Sequence, residues 1–174
     1  MRILAIETTD IAGSVALFEA DQLIAGSDLD PQLRSAQSLA PGIAALLQNA
    51  GWQPKQVQLV AVAVGPGSFT GLRVGISTAK LFAYAIGAEV MGVNTLEVIA
   101  AQAPAEISAL WAVLDAQRAQ VFAGRFQREA VSSWRWDRHV ALIDNTAWLA
   151  SLSPGEAVSG PVLEKLKEQI PSGV

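Results

Sequence analysis

Residues that could do chemistry stand at the ends of two apolar stretches. Glu7 ends the stretch that begins at Arg2, and Thr8 and Thr9 follow it. A carboxylate beside two hydroxyls suits a water-bridged metal ion and a phosphate. Asp115 ends a second apolar stretch and could face Glu7 across a cleft. The structural alternative is that both acids are simply solvated and that the threonines bond to the turn backbone.

A glycine-dense segment, residues 65–75, lies between a predicted strand and a predicted helix. Such a turn lets a backbone approach a ligand or another backbone closely, and free N–H groups at a helix start suit an anion. The glycine spacing matches neither a Walker A loop nor a dinucleotide fingerprint. It favours a tight strand-to-helix turn with Phe69 buried as an anchor, although Arg73 could hold an anion or pair with Glu7. The candidate anion or nucleotide site comprises Glu7, Thr8, Thr9, Gly67, Ser68, Thr70, Gly71, Arg73 and Asp115.

Composition limits the classes of function. The chain has 174 residues, 51% of them apolar, a formal charge of −4 and no cysteine. The lack of cysteine excludes disulfides, thiolate metal sites and a cysteine nucleophile, and the acidic balance argues against a stand-alone nucleic-acid binder. No apolar run approaches about 18 residues, so we expect no membrane span. Glu7 interrupts the N-terminus where a signal peptide would stay apolar, and we therefore expect a cytoplasmic protein.

The rest of the sequence offers few further candidates for a catalytic or nucleic-acid-binding site. The single histidine, His139, follows two charged residues and is predicted at the surface, and one histidine cannot form a histidine-rich metal site. Trp134 and Trp136 alternate with polar residues, as in a half-buried strand, which favours packing over base stacking. Nearby arginines give a modest basic character that is more typical of a solvated face than of a nucleic-acid site: Arg125, Arg128, Arg135 and Arg138.

Hydrophobic periodicity predicts three strands followed by alternating helices and strands, and so an α/β fold. The predicted strands of the first part cover residues 2–7, 14–19, 22–28, 57–64 and 89–93, and the helices cover about 35–48, 70–87 and 95–102. Pro41 and Gly42 predict a kink or two abutting segments in the first helix.

Pro104 marks a predicted boundary between a lobe of residues 1–103 and a shorter lobe of residues 104–174. In the second lobe we predict strands over 109–114, 120–126 and 131–136, a helix from Asp144 or Asn145 through Leu152, and a last helix over 161–170. This half begins as the first does, with an apolar strand that ends in an acid and then a hairpin. The echo suggests a duplicated architecture, although no sequence repeat is visible.

Four segments together resemble the bacterial TsaB (YeaZ) family. They are residues 1–9, the glycine block extended to Ile76, Gly92–Leu96 and Asp115–Arg118, and they match in order and spacing. The glycine block is the most specific, and the resemblance weakens beyond about residue 130. It implies an actin-like, ribonuclease-H-like fold of the Hsp70/sugar-kinase superfamily, in two lobes with mixed sheets flanked by helices and a short second lobe.

The resemblance also implies a function, because this family serves in making threonylcarbamoyladenosine in tRNA. It implies a non-catalytic scaffold subunit that pairs with the paralogue TsaD, which performs the transfer, and that supports the ATPase TsaE. tRNA would then be reached only through the complex. Family members self-associate through helices of the first lobe, so a homodimer is expected when the protein is alone. Ala79→Arg or Ala83→Arg is expected to prevent this pairing while the monomer stays folded. The expected interface residues are Ser35, Leu39, Ile43, Leu72, Ile76, Ala79 and Ala83.

Departures from the family pattern weaken nucleotide binding more than they weaken scaffolding. The family often has Asp at the position of Glu7, His-Ser where this chain has Arg34-Ser35, and Arg at the position of Gln117. The resemblance therefore implies a vestigial nucleotide site, no bound metal, and at most weak ATP or ADP with magnesium at a partner interface. Two alternatives stay open: an actin-like ATPase or phosphotransferase acting on its own and, ranked last, a ribonuclease-H-like nuclease.

Overall fold

The computed structural model describes residues 1–10, 13–30, 32–33, 35–130 and 133–173, with the side chains of 35, 133 and 136–139 outside the description. The chain divides into two compact units, Met1–Asn94 and Thr95–Val174. The sequence predicts the boundary after residue 103, whereas this division falls before the helix α3 (Thr95–Ala101). Leu96 and Ala100 of α3 belong to a buried cluster of the second unit, which accounts for the earlier division.

The first unit contains a five-stranded sheet in the order β3-β2-β1-β4-β5. The strands are β1 (Arg2–Glu7), β2 (Ser14–Glu19), β3 (Gln22–Asp28), β4 (Leu59–Ala63) and β5 (Glu89–Val93). β1, β2 and β3 pair antiparallel, and β4 and β5 join in parallel. The predicted bounds are confirmed except for β4, which was predicted over 57–64. It ends one residue earlier than predicted and starts two residues later, because the Val57 N–H closes a turn onto the carbonyl of Pro54.

Two helices, α1 (Ser35–Asn49) and α2 (Phe69–Ile86), pack on one face of this sheet. α1 runs through Pro41 as one helix, which excludes the alternative of two abutting segments, while the predicted kink stays a prediction. Ser68 caps the start of α2, and Gly87 ends it in the left-handed region at φ 78°. Alternate residues of β1, β2 and β4 point to this face and form the sheet's part of the core: Leu4, Ile6, Val15, Leu17, Val60 and Val62.

The second unit repeats the topology on a smaller scale. Its strands β6 (Ala109–Gln117), β7 (Gln120–Ala130), β8 (Ser133–Asp144) and β9 (Ala157–Ser159) lie in the order β8-β7-β6-β9. β6, β7 and β8 pair antiparallel, and β9 joins β6 in parallel as β4 joins β1. The predicted echo between the two halves is therefore confirmed in sheet topology.

Helices lie on both faces of the second sheet. α3 packs with Leu110, Ala112 and Leu114, and α4 (Asn145–Ser151) packs on the opposite face through Trp148 and Leu149. β7 and β8 extend beyond their predicted ends, β9 was not predicted, and the predicted last helix shrinks to α5 (Leu163–Leu166). None of the helices described here is long and apolar enough to cross a membrane.

Candidate functional site

The candidate site is the junction between the turn after β1 and the start of α2. Thr8 and Thr9 are both buried there. The Thr8 hydroxyl donates a hydrogen bond to the carbonyl oxygen of Gly71 at 2.9 Å, and the Ser68 N–H donates to the carbonyl of Thr9 at 2.7 Å. The two threonines therefore attach the start of α2 to the turn after β1.

Three glycines permit this close contact. A Cβ at Gly71 would collide with the carbonyl oxygen of Thr8, and one at Gly75 would collide with the Thr8 hydroxyl oxygen. A Cβ at Gly67 would lie 2.5 Å from the Cβ of Thr9. Glycine is thus required where a strand end and a helix approach each other closely, as in the structural alternative of the sequence analysis.

Several N–H groups at the start of α2 are already bonded within the chain. Gly71 donates to the Ser68 hydroxyl at 3.3 Å, and Leu72 donates to the Ser68 carbonyl at 2.8 Å. These two donors are therefore not available to an anion. Thr70 is exposed at the second position of the helix. Phe69 is 73% exposed, so the prediction that it is a buried anchor is wrong.

Glu7 and Arg73 have separate partners. A carboxylate oxygen of Glu7 accepts a hydrogen bond from the N–H of Thr9. The guanidinium of Arg73 is exposed and lies 5.5 Å from the ring centre of Phe69. In the part of the chain that the structure describes, Glu7 and Arg73 form no ion pair with each other.

Asp115 is engaged inside the second unit. One carboxylate oxygen lies 2.6 Å from the Nζ of Lys165, and the other accepts the N–H of Gln117 at 2.7 Å. The hydrogen bond from Lys165 is the main cause that holds the pKa of Asp115 below its ordinary value of 3.8, and burial opposes it. The predicted meeting of Asp115 with Glu7 concerns two separate units and stays a prediction. Among the described residues, no three His, Asp or Glu side chains group as a metal site.

The basic residues of β7 and β8 are engaged with their own unit. Trp134 packs against a core cluster of the second unit, as predicted, and the guanidinium of Arg128 lies 4.2 Å from its ring centre. The side chains of Trp136, Arg138 and His139 lie outside the described residues. The other partners are Glu156 for Arg125 at 3.2 Å, Glu129 for Arg135 at 3.1 Å, and the carbonyls of Ala103, Pro104 and Ile107 for Arg128.

Most of the predicted interface residues point into the first unit. Ala79 and Ala83 are at most 1% exposed in the core between α2 and the sheet, and Leu39 and Ile43 are buried beside them. Leu72 and Ile76 are half-buried, and the side chain of Ser35 lies outside the described residues. These buried side chains are unavailable to a partner, because they already pack α1 and α2 onto the sheet.

The opposite side of α2 is exposed and carries large apolar groups. We call it the outward stripe: Phe69, Arg73, Ser77, Lys80, Leu81 and Tyr84. At about 100° per residue these positions fall within an arc of about 120°. Leu81 is 70% exposed and Tyr84 is 89% exposed. Neither residue was among the predicted interface residues. The signal that was available is that both lie off the apolar stripe that helical spacing predicts for this helix, which is Leu72, Ile76, Ala79, Ala83 and Ile86.

The chain is similar to proteins of one family. A family model described as "TsaD: tRNA N6-adenosine threonylcarbamoyltransferase" matches residues 32–165. The protein named tRNA threonylcarbamoyladenosine biosynthesis protein TsaB of Bacillus subtilis (strain 168) is 32% identical over 127 residues, which are 73% of this chain and 56% of that protein. The Escherichia coli (strain K12) protein of the same name is 34% identical over 147 residues, which are 82% of this chain and 62% of that protein.

The chain belongs to the TsaB (YeaZ) group of the TsaD family. The resemblance carried by the glycine block is thereby confirmed. This TsaB-group chain matches only 56% and 62% of the length of those two relatives.

Solved structures support the same family and fold. YeaZ from Pseudomonas aeruginosa superposes with a TM-score of 0.74 at 27% identity, over 87% of this chain and 69% of that one. A second structure, of an uncharacterized protein with similarity to peptidase YEAZ from Pseudomonas aeruginosa, gives a TM-score of 0.75 at 28% identity, over 87% and 68% of the two chains. The predicted actin-like α/β class, with two mixed sheets flanked by helices, is confirmed.

Proposed function

We propose that this chain is a non-catalytic scaffold subunit in tRNA threonylcarbamoyladenosine modification. It docks a TsaD-type paralogue through the outward stripe of α2 and the adjoining surface of α1, and the pair supports a TsaE-type ATPase. The names of the TsaB relatives connect the family with threonylcarbamoyladenosine biosynthesis. tRNA is met only through the assembled complex.

The observation that carries this proposal is the exposure of large apolar side chains on one side of an anchored helix. Phe69, Leu81 and Tyr84 leave a surface that gains roughly 25 cal/mol for each Å² of apolar area buried by a partner. The start of α2 is fixed on Thr8 and Thr9, so little conformational freedom is lost when this face is covered.

The neighbouring helix suits close packing. α1 packs beside α2 on the same sheet face, and the small residues Ala40, Ala44 and Ala45 on it are exposed. Small side chains let a second helix pair approach closely, while the large groups of the outward stripe supply the contact area.

The engaged polar residues support scaffolding over catalysis by this chain alone. The hydroxyl of Thr8 is bonded to α2, and Asp115 is paired with Lys165. The glycine block serves the packing of α2 on the turn after β1. These residues therefore act mainly on the fold, which leaves the exposed helix face as the feature that requires a partner.

The test compares two leucines of similar exposure. Leu81→Arg should reduce affinity for the TsaD protein of the same genome about 30-fold or more, because it replaces a large exposed apolar group of the contact by a charge. Leu142 lies on β8 and is 55% exposed, so Leu142→Arg is the matched control. Co-elution on a sizing column and threonylcarbamoyladenosine formation in a reaction with TsaD and TsaE are the readouts. Unchanged binding and activity of Leu81→Arg, with an unchanged melting temperature, would refute the proposal.

A further inference from the structure

The two helices of the proposed docking face contain no acidic residue. α1 has no charged side chain, and the charged residues of α2 are Arg73 and Lys80. Both are exposed on the outward stripe. The whole chain, in contrast, carries a formal charge of −4. The docking face is therefore a positive region on an acidic protein.

Neither cation is neutralised by a described residue of the chain. Arg73 stacks over the ring of Phe69, which leaves its charge intact. The ammonium group of Lys80 makes no hydrogen bond and no ion pair with any part of the chain that the structure describes. Both lie within about 60° of Tyr84 around the helix, so a partner that covers Tyr84 meets both charges.

We infer that this face selects a partner whose facing helices carry carboxylates, in preference to a second copy of this chain. The inference rests on the proposed function, because it concerns the same face. In a two-fold pair, each copy would bring Arg73 and Lys80 and no acid, so like charges would meet across the seam. A paralogue with Asp or Glu at the facing positions would neutralise both cations.

Charge, and not apolar contact, then sets the choice of partner. Leu81 and Tyr84 offer the same surface to either partner, so their burial does not discriminate between the two. Repulsion against the wrong partner supplies the difference. Salt shortens the range of charge interactions, from about 10 Å at 0.1 M to about 3 Å at 1 M. Added salt should therefore weaken binding to the paralogue and strengthen self-association.

The experiment measures two equilibria by analytical ultracentrifugation, at about 50 mM and about 500 mM NaCl. One is binding to the TsaD protein of the same genome, and the other is self-association. Lys80→Glu should bind TsaD at least about threefold more weakly at low salt, and should pair with the wild-type chain more tightly than two wild-type chains pair. Lys167, exposed in the second unit, provides the control Lys167→Glu, which should match wild type in both.

The outcomes separate this inference from the proposed function. If the wild-type chain fails to bind TsaD at either salt concentration, the proposed function fails and the inference fails with it. If Leu81→Arg abolishes binding while Lys80→Glu and Arg73→Glu bind TsaD as well as wild type or better, only the charge selection is overturned. Self-association that weakens with added salt would overturn it as well.

Discussion

The Thr8 hydroxyl donates to the carbonyl oxygen of Gly71, while the backbone of Thr8 occupies the space that a side chain on Gly71 would need. The same pair of residues is thus joined by a hydrogen bond and by a steric requirement. It ties the end of β1 to the first turn of α2 and so fixes which side of α2 faces outward. The most family-specific block of the sequence is, on this account, a packing device.

Gly71→Ala should destabilise the fold, because the added Cβ collides with the Thr8 backbone, which is part of the sheet connection. We expect a loss of about 2–3 kcal/mol in the free energy of unfolding, measured by denaturant titration. Gly26 in β3 is the control, since a Cβ there meets its nearest neighbours at 3.9 Å and beyond. Gly26→Ala should stay within about 0.5 kcal/mol of wild type, and equal stability of the two variants would disprove the packing role.

Ala79→Arg should unfold the first unit, contrary to the expectation from the family resemblance that the monomer stays folded. Ala79 is fully buried between α2 and the sheet. An arginine there buries a charge and overfills the core, at a cost of more than about 3 kcal/mol. Ala85 is exposed on the same helix, so Ala85→Arg should leave the melting temperature nearly unchanged. A native-like melt for Ala79→Arg would contradict the burial described here.

Local signals in the sequence located α2 to within one residue and indicated its buried side, because helical spacing predicts an apolar stripe that includes Ile76, Ala79, Ala83 and Ile86, all of which lie in or against the core. Ser68 and Gly87 mark its ends. Around its axis, however, the helix carries apolar residues on most sides, so periodicity alone did not show every residue of the buried side. The side against the sheet is the narrow line of Gly71, Gly75, Ala79 and Ala83, which hydrophobicity scales rank below Phe and Leu. Ala79 and Ala83 were predicted on this side, and packing against Thr8 shows that Gly71 and Gly75 lie there as well.

The partner of Asp115 was also beyond the sequence analysis. Lys165 is 50 residues away in the chain, and no short-range spacing connects the two. The strand order of the second unit brings β6 and the segment after β9 together, and that order depends on β9, a strand of 3 residues. By contrast, β1, β2, β3 and β5 were predictable because they are short apolar runs bounded by turn residues.

The pair of Asp115 and Lys165 should make a small, pH-dependent contribution to stability. In the folded chain the pKa of Asp115 is lowered from its ordinary value of 3.8. The contribution to stability is therefore fully present above that ordinary value and is lost as pH falls through the pKa of the folded state. Both side chains are at least one-third exposed, so we expect less than about 1 kcal/mol. Asp115→Asn and Lys165→Met should each lower the free energy of unfolding at pH 6, and the difference from wild type should vanish toward pH 2. A difference that grows on acidification would contradict this assignment.

Arg128 should matter more for stability than its position on the surface sheet suggests. Its guanidinium donates to the carbonyls of Ala103, Pro104 and Ile107, and so fixes the segment between α3 and β6. A lysine cannot reproduce the several hydrogen bonds of the planar guanidinium. Arg128→Lys should therefore lower the free energy of unfolding by about 1–3 kcal/mol, measured by thermal or chemical unfolding. Arg135, which pairs only with the exposed Glu129 among the described residues, is the control. Arg135→Lys should leave the free energy of unfolding nearly unchanged. Equal effects of the two substitutions would show that Arg128 does not hold the segment between α3 and β6.

The central claim, that the outward stripe of α2 is a docking face, is tested most directly by hydroxyl-radical footprinting of the chain with and without TsaD. Tyr84 is the single tyrosine and is 89% exposed, so its oxidation reports on this face alone. Leu142 serves as the internal reference on the second unit. Tyr84 should become strongly protected in the complex, while the oxidation of Leu142 should not change. A complex in which Tyr84 oxidises as fast as in the free chain would contradict the central claim.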